Sequence, residues 1–334
     1  MALAKHSSIL VIGGGSWATA LIKILSQNKS PLSWWMRDQS AIEHLKEHSN
    51  NPKYLQSATF DTQRIEISED LLQLVTSAEI IIIAVPSAFV HGTLKHIPKD
   101  VLRNKIVFSA LKGMIPETNA IPARYLHKTF EIPYENIGII CGPCHAEEVA
   151  MERLSYLTVA CSNVKIAQII AQKLSCRYIK TSISDDLFGT EFSAILKNVY
   201  ALATGICAGI GYGDNFQAVL ISNSIREIEK FIDAIHPIHR DTKTSAYLGD
   251  LLVTAYSKFS RNRTFGLMIG KGYSVKTAKL EMNMIAEGFY AVKSLHEIKQ
   301  EFDVEMPILE TVYSILYERK APKKELKSLT DQLD

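Results

Sequence analysis

A glycine-rich turn between an apolar segment and a helical pattern constrains the fold of this chain most strongly. The apolar run Ile9–Ile12 leads directly into the segment 13–18, which reads GGGSWA, and helical periodicity follows. Strand, G-x-G-x-x-A turn and helix in this order open the βαβ unit of a nucleotide-binding sheet. In such a turn Gly13 permits the tight bend and Gly15 lets the backbone approach a pyrophosphate, while Ala18 keeps the helix close to the strand. We predict a nucleotide-binding α/β domain, with a purely structural turn as the alternative.

Short apolar segments alternate with helical patterns through the first half of the chain. Further strands are predicted at Leu32–Met36, Ile80–Val85, Lys105–Phe108, Ile137–Cys141, Leu157–Ala160 and Cys176–Ile179. Helices are predicted between them at Trp17–Gln27, Ala41–His48, Phe89–His96, Ile121–Phe130 and Val164–Leu174. Several strands are apolar throughout, as expected of parallel strands buried on both faces. The alternation predicts an α/β N-terminal Rossmann domain with a parallel-rich sheet over residues 1–184.

The pattern of apolar and polar residues changes after about residue 185. No clear strand pattern follows, and helical periodicity recurs at 186–209, 215–234, 244–257, 263–269, 285–300 and 306–318. We therefore predict an all-α C-terminal domain over residues 185–334.

Charge and composition exclude several classes of protein. Of the 334 residues, 37 are lysine or arginine and 35 are aspartate or glutamate, so the net charge of +2 gives no electrostatic footprint for nucleic acid. The longest convincing apolar run, Ile80–Val85, is too short to span a membrane, and Ile9–Ile12 is too short for a signal-peptide core. Five cysteines, an odd number, in a chain of this size indicate a reduced protein of the cytoplasm.

The end of the second predicted strand bears on the choice of nucleotide. An acidic residue there holds the ribose hydroxyls of NAD, whereas an arginine accommodates the 2′-phosphate of NADP. This strand ends in Arg37 followed by Asp38. The order favours acceptance of NADP without excluding NAD, and an ordinary solvated loop is the alternative.

The segment Cys141-Gly142-Pro143-Cys144-His145 matches two unrelated patterns, a thioredoxin-like redox motif and a c-type haem attachment site. Haem attachment belongs to exported proteins, and this segment lies at the fifth predicted strand of a large domain rather than early in a small one. We interpret it as a Gly-Pro turn between two small apolar thiols, with redox chemistry as the alternative.

Polar groups interrupt the apolar stretches of the helical half. Lys197 lies in the segment 192–206, where small residues would let a helix or a ligand approach closely. An ammonium there either has a partner or extends to the surface. Asp250 opens another apolar stretch, and Ser260-Arg261-Asn262 suits either a phosphate site or a helix N-cap beside a surface arginine.

Short motifs follow one another in order along nearly the whole chain. They are GGGSW at 13–17, AVPS at 84–87, KG at 112–113, GPCHAEEV at 142–149, LKN at 196–198, GDN at 213–215, GDL at 249–251, SRN at 260–262 and IAEG at 285–288. Together they resemble the bacterial type of NAD(P)-dependent glycerol-3-phosphate dehydrogenase. Cys144 and His145 depart from the family pattern, which has serine or threonine and usually phenylalanine there.

The resemblance implies a homodimer that reversibly reduces dihydroxyacetone phosphate to sn-glycerol 3-phosphate with NAD(P)H, supplying phospholipid synthesis. We predict no metal site. Lys197 is the implied proton donor and acceptor, with Lys112 lowering its pKa and Asp250 orienting it. The implied substrate-binding residues are Lys112, Gly142, Cys144, Lys197, Asp250, Ser260, Arg261 and Asn262. The implied cofactor-binding residues are Gly13, Gly15, Ser16, Trp17, Arg37, Lys112, Ala146, Arg261, Ile285 and Glu287.

Two other functions remain open from the sequence. A related β-hydroxyacid or 2-ketoacid reductase would share the catalytic lysine but would lack the Ser260-Arg261-Asn262 phosphate grip. A non-catalytic NAD(P)-sensing protein would keep the glycine turn but would not need Lys112, Lys197 and Asp250.

Overall fold

The computed structural model describes residues 7–282 and 286–334. These residues form two compact units, the first comprising the described chain up to Leu111 together with Ala120–Leu187. The second unit comprises Lys112–Asn119 and Phe188–Asp334. The segment Lys112–Asn119, which the sequence analysis placed inside the first domain, thus groups with the helices of the second unit.

The first unit is built on an eight-stranded sheet with the order β3-β2-β1-β4-β5-β6-β7-β8. The strands are β1 (Ile9–Ile12), β2 (Leu32–Trp35), β3 (Ile65–Ser68), β4 (Ile80–Ile83), β5 (Ile106–Ser109), β6 (Ile137–Cys141), β7 (Ser155–Cys161) and β8 (Ile179–Ser184). All neighbours pair in parallel except β6 with β7, which are antiparallel. The first six strands have the 3-2-1-4-5-6 order of a doubly wound dinucleotide-binding sheet. The predicted parallel-rich Rossmann fold is confirmed.

Helices connect the strands and cover the buried centre of the sheet. They are α1 (Ser16–Leu25), α2 (Gln39–His48), α3 (Leu71–Ser77), α4 (Ser87–Leu94), α5 (Lys99–Arg103), α6 (Pro122–Phe130), α7 (Ala146–Ala150) and α8 (Val164–Leu174). Every residue of β1 and β4 is buried, because a central parallel strand is covered on both faces. Their apolar sequences, ILVI and IIII, provide side chains for both layers of the core.

The two strands at the edges of the sheet depart from the sequence-based predictions. The strand predicted at Cys176–Ile179 is wrong in position, because β8 begins only at Ile179. Strand β3 was not predicted at all. Strand β3 alternates buried with more exposed residues, and β8 is buried only at Ile179, so neither shows the continuous apolar run that marks a central strand.

The second unit contains α9 (Leu187–Ile210), α10 (Asp214–Ile235), α11 (Asp250–Tyr256), α12 (Arg261–Gly270), α13 (Val275–Glu281), α14 (Glu287–Glu301), α15 (Pro307–Leu316) and α16 (Pro322–Thr330). Among its described residues no strand occurs, which confirms the predicted all-α character. A π-helical turn, Ser245–Gly249, precedes α11 where the sequence predicted one continuous helix.

Helix α9 is an apolar helix of 24 residues. By length and composition it could cross a membrane, but 83% of its most apolar stretch is buried within the protein. The sequence analysis described its segment 192–206 as an apolar stretch interrupted by Lys197, and Glu191 directly precedes that segment. Both of these charged residues are buried, as is the helix around them, so α9 has the burial expected of a core helix.

Candidate active site

The glycine turn of the first unit is fixed by a close backbone contact at Gly13. Its φ of +136° lies in a region that side-chain-bearing residues rarely adopt. A Cβ atom at this position would stand 2.7 Å from the carbonyl oxygen of Ala84, just after β4. Glycine is therefore required here for packing between backbone segments, independently of any ligand.

Gly15 has a different environment, which suits a bound anion. It is the N-cap of α1, no side chain caps the helix, and the first turn carries no acidic residue. A Cβ added to Gly15 would meet no atom within 4 Å. The N–H groups and positive dipole end of a ten-residue helix thus face space that a pyrophosphate can fill. The residues present fit a dinucleotide cofactor.

Two buried side chains that the sequence analysis missed brace this turn. Trp34 donates its indole N–H to the Gly13 carbonyl oxygen at 2.7 Å. Asn51 donates its side-chain amide to the Gly14 carbonyl oxygen at 3.1 Å and to the Thr19 hydroxyl at 2.9 Å. A tryptophan in a fully buried strand signals a need for such an acceptor, since its N–H must be satisfied. The sequence carries no comparable signal for Asn51.

Arg37 and Asp38, which follow the end of β2, differ in their exposure and in their hydrogen bonds. Asp38 caps α2 by accepting from the Ala41 N–H, accepts from the Ser40 hydroxyl at 2.7 Å, and pairs with the Lys53 ammonium at 2.6 Å. The bond to Lys53, followed by those two local bonds, holds the pKa of the Asp38 carboxyl well below its usual range. Arg37 is exposed, whereas its neighbour's carboxylate is committed to nearby groups.

A buried ion pair is the main feature of the second unit. Lys197 in the middle of α9 pairs with Asp250, the first residue of α11, and each is only 1% exposed. Burial, and to a smaller extent the neighbouring Lys112, lowers the pKa of the Lys197 ammonium to about 7, against the opposing effect of the Asp250 carboxylate. The structure therefore brings together the three charged residues that the resemblance grouped. The largest cause of the shift is burial, whereas the sequence analysis gave only Lys112.

The residue next to Lys197 positions Lys112. Asn198 donates its side-chain amide to the Lys112 backbone carbonyl at 2.7 Å. Adjacent residues of one rigid helix thus present an ammonium group and anchor the backbone of the second lysine. The backbone of Lys112 is therefore anchored to the helix that carries Lys197.

The Ser260-Arg261-Asn262 segment forms the start of α12. Ser260 caps the helix by accepting from the Arg263 N–H at 3.3 Å, as the N-cap alternative predicted. Asn262 accepts from the Gly288 N–H at 2.9 Å, while Arg261 is exposed. A capping hydroxyl accepts through its oxygen and so keeps its own O–H for a further partner.

Glycines bring α9 and α12 into direct backbone contact. A Cβ at Gly205 would overlap the Arg263 carbonyl, and one at Gly266 would overlap the Leu202 carbonyl. Gly209 and Gly270 are equally close to the opposite helix. We refer to Gly205, Gly209, Gly266 and Gly270 as the glycine seam. The close approach that the sequence left open to a helix or a ligand is therefore made by a helix.

The remaining predicted site residues have mixed surroundings. Gly142 has a φ of +116°, and a Cβ there would stand 2.9 Å from the Tyr156 carbonyl. Cys144 and Ala146 are buried in the apolar core of the first unit. Ser16 and Trp17 begin α1, and Glu287 begins α14 as a partly exposed residue. The predicted cofactor residue Ile285 lies outside the described residues.

The Cys141 and Cys144 thiols are both buried and neither is in a disulfide. Burial limits the access of oxidants and redox partners to both thiols, so this geometry favours the structural interpretation of the motif over redox chemistry. Within residues 7–282 and 286–334, no group of three or more histidine, cysteine, aspartate or glutamate side chains is arranged to hold a metal ion.

Comparison with known proteins identifies similar chains over the full length. The chain is 34% identical to a glycerol-3-phosphate dehydrogenase [NAD(P)+] of Macrococcus caseolyticus, with 97% of this chain and 98% of that one covered. Identity to the enzyme of the same name from a Thermoanaerobacter species is 35%, with 96% of each chain covered. The crystal structure of glycerol-3-phosphate dehydrogenase from Coxiella burnetii matches with a TM-score of 0.90 at 26% identity, covering 98% of this chain and 99% of that one.

Family-level comparison gives the same result for both parts of the chain. Residues 8–167 match the N-terminal family model of NAD-dependent glycerol-3-phosphate dehydrogenase, and residues 186–327 match its C-terminal model. The resemblance inferred from the motifs is confirmed, and it favours this family over the reductase alternative. The chain belongs to the NAD-dependent glycerol-3-phosphate dehydrogenase family.

Proposed function

We propose that this protein catalyses the reversible reduction of dihydroxyacetone phosphate to sn-glycerol 3-phosphate with NADH or NADPH. The observation that carries the proposal is the buried Lys197–Asp250 pair beside Lys112, in a chain of this family. A buried lysine with a pKa near neutrality is suited to exchange a proton during turnover, whereas a purely nucleotide-sensing protein has no use for one.

The cofactor's pyrophosphate would be held at the turn by Gly13, Gly15, Ser16 and Trp17, where α1 offers its uncapped N-terminus. Further contacts are assigned by the resemblance to Arg37, Lys112, Ala146, Arg261, Ile285 and Glu287. When bound, the nicotinamide supplies or accepts the hydride, and the protein supplies binding, orientation and charge.

Lys197 is the proposed catalytic residue. As an ammonium it donates a proton to the substrate's carbonyl oxygen in reduction, and as an amine it accepts the hydroxyl proton in oxidation. Burial and Lys112 keep its pKa low enough for both forms to be accessible near neutral pH. Asp250 holds the ammonium in place and offsets part of the positive charge of the two lysines.

The substrate phosphate would be bound chiefly at the start of α12. The exposed Arg261 offers paired N–H donors suited to phosphate, and Ser260 and Asn262 flank it. Gly142 and Cys144 are assigned to the substrate by resemblance. The buried Cys144 thiol is a weaker donor than the hydroxyl that the family usually has at this position.

We also propose that the protein is a cytoplasmic homodimer that supplies glycerol phosphate for phospholipid synthesis. All five cysteines are free of disulfides, which accords with a reducing compartment. Light scattering of the purified protein tests the oligomeric state.

An absorbance assay of NADPH oxidation tests the activity. We expect turnover with dihydroxyacetone phosphate and little with unphosphorylated dihydroxyacetone, because the phosphate grip at α12 would have no anion to bind. Equal or faster turnover of a 2-ketoacid would indicate the related reductase. Tight NADPH binding without turnover of any of these substrates would indicate a sensor.

A further inference from the structure

We propose that Lys53 is a specificity-determining residue that directs the nucleotide site towards NADP by pairing with Asp38. The proposal rests on the function proposed above, since it concerns the nucleotide of that site. It adds a residue from a separate loop to the Arg37-Asp38 pair recognised in the sequence.

The first step concerns the availability of Asp38. In a dinucleotide-binding sheet, an acidic residue after the second strand selects NAD when its carboxylate accepts hydrogen bonds from the ribose hydroxyls. Here one carboxylate oxygen receives the Ser40 hydroxyl and the Ala41 N–H, and the other receives the Lys53 ammonium. Asp38 is therefore engaged in a way that competes with ribose binding.

The second step concerns the placement of Lys53. The side-chain oxygen of Asn51 accepts from the Lys53 N–H at 3.0 Å and from the Tyr54 N–H at 3.2 Å. The amide nitrogen of the same side chain donates to the Gly14 carbonyl. Asn51 is 1% exposed, so a single buried side chain ties the backbone of Lys53 to the phosphate-binding turn. This connection places Lys53 in a defined relation to the nucleotide site.

The third step concerns local charge. Arg37 and Lys53 each contribute a positive charge and Asp38 a negative one, which leaves an excess of one positive charge at the end of β2. Arg37 lies near enough to oppose protonation of Lys53, while the stronger interaction with Asp38 raises the pKa of the lysine. A 2′-phosphate is favoured by that excess positive charge, whereas a ribose diol gains little from it. Without Lys53, the charges of Arg37 and Asp38 would cancel.

Binding of two small nucleotides to the intact protein tests the proposal without measuring turnover. Adenosine 2′,5′-bisphosphate carries the 2′-phosphate, and 5′-ADP lacks it. We expect calorimetry to show that Lys53→Ala lowers the preference for the bisphosphate over 5′-ADP by about tenfold, because Asp38 becomes available to the ribose hydroxyls and one positive charge near the 2′-phosphate is lost. The charge-reversing Lys53→Glu should lower that preference further. Lys46→Ala, at an exposed lysine on α2, should leave it unchanged.

The outcomes separate this proposal from the proposed function. If Lys53→Ala weakens both nucleotides equally, or weakens neither, Lys53 does not determine specificity and the proposal is wrong while the nucleotide site stands. If the unmodified protein binds neither nucleotide, the proposed function is itself overturned, and the role of Lys53 with it. A loss confined to the bisphosphate supports the proposal.

Discussion

The glycine turn of the first unit and the Lys197–Asp250 pair of the second are built in opposite ways. The turn consists of backbone atoms from one short segment, shaped by Gly13 and left open at Gly15. The pair consists of two buried charged side chains on different helices, whose behaviour is dominated by their removal from water. The backbone site can be recognised in the sequence, and a substitution damages it by straining the main chain. The buried ion pair forms only when the chain folds, and a substitution damages it by leaving one charge without its partner.

The largest expected effect is a loss of catalysis at the buried pair without a loss of nucleotide binding at the glycine turn. Lys197→Met keeps most of the side-chain volume but removes the proton donor, so kcat should fall by at least about 10² to 10⁴, the usual contribution of general acid–base catalysis. NADPH affinity, measured by fluorescence titration, should stay nearly unchanged because the glycine turn is untouched. Lys276→Ala, at an exposed lysine on α13, is the control. Retention of more than about a tenth of the parent rate would exclude Lys197 from this role.

The second prediction tests the electrostatics of the pair. The Asp250 carboxylate raises the pKa of Lys197, so Asp250→Asn should lower that pKa further below its ordinary value. The reduction rate requires the ammonium form, and it therefore declines as pH rises through the pKa of Lys197. In the variant this decline should move to lower pH by about one unit or more.

The pH profile of kcat/KM measures this shift. Asp331→Asn, an exposed aspartate after α16, should keep the parent profile. Removing one member of a buried pair also destabilises a protein, typically by about 3–5 kcal/mol, so profiles should be taken well below the melting temperature. A profile that moves to higher pH would contradict the assigned sign.

The third prediction compares two glycines within the turn. Gly13→Ala should lower the free energy of unfolding by about 2–4 kcal/mol, because its Cβ would meet the Ala84 carbonyl at a strained φ. Gly15→Ala has an ordinary φ and open space, so its effect on stability should stay within about 1 kcal/mol. The same methyl group would occupy the space for the pyrophosphate and should weaken NADH binding by about tenfold or more. Chemical denaturation measures the free energy of unfolding of both variants, and titration measures their affinity for NADH. Equal changes in the two variants would contradict the prediction.

The smallest expected effect concerns Cys144. Its thiol is buried in the apolar core of the first unit, so Cys144→Ala should change the KM for dihydroxyacetone phosphate by no more than about twofold. Parent and variant should also lose activity at the same rate under diamide, because a thiol in apolar surroundings is poorly reactive. Inactivation that dithiothreitol reverses in the parent alone would restore the redox interpretation of the Cys141–Cys144 motif.

The sequence predicted those parts of the fold that show a long and regular pattern of apolar residues. Strands β1 and β4 are buried on both faces, and their continuous apolar runs marked them clearly. Helix α9 was predicted at 186–209 and found at Leu187–Ile210. The edge strand β3 escaped notice because four residues of mixed polarity carry too little pattern. The π-helical turn Ser245–Gly249 escaped because its residues have an ordinary helical composition.

The candidate site shows the same division. The glycine turn could be assigned from adjacent residues, since strand, turn and helix are contiguous. The grouping of Lys112, Lys197 and Asp250 came from the resemblance alone, because no local pattern relates residues so far apart in the chain. The bracing by Asn51 and the pairing of Lys53 with Asp38 could not be predicted at all, because they depend on how a loop returns to the sheet.

The glycine seam makes the spacing of α9 and α12 a property of the main chain. Where helices are held apart by side chains, each substitution in the core alters the separation a little and the alterations accumulate during evolution. Here Gly205 and Gly266 set the separation by direct contact, so core residues elsewhere on the two helices can diverge without changing it. Substitutions elsewhere on the two helices therefore leave the distance from Lys197 to the start of α12 unchanged. Substitutions in the glycine seam do not, because a single added methyl group there would displace one helix relative to the other.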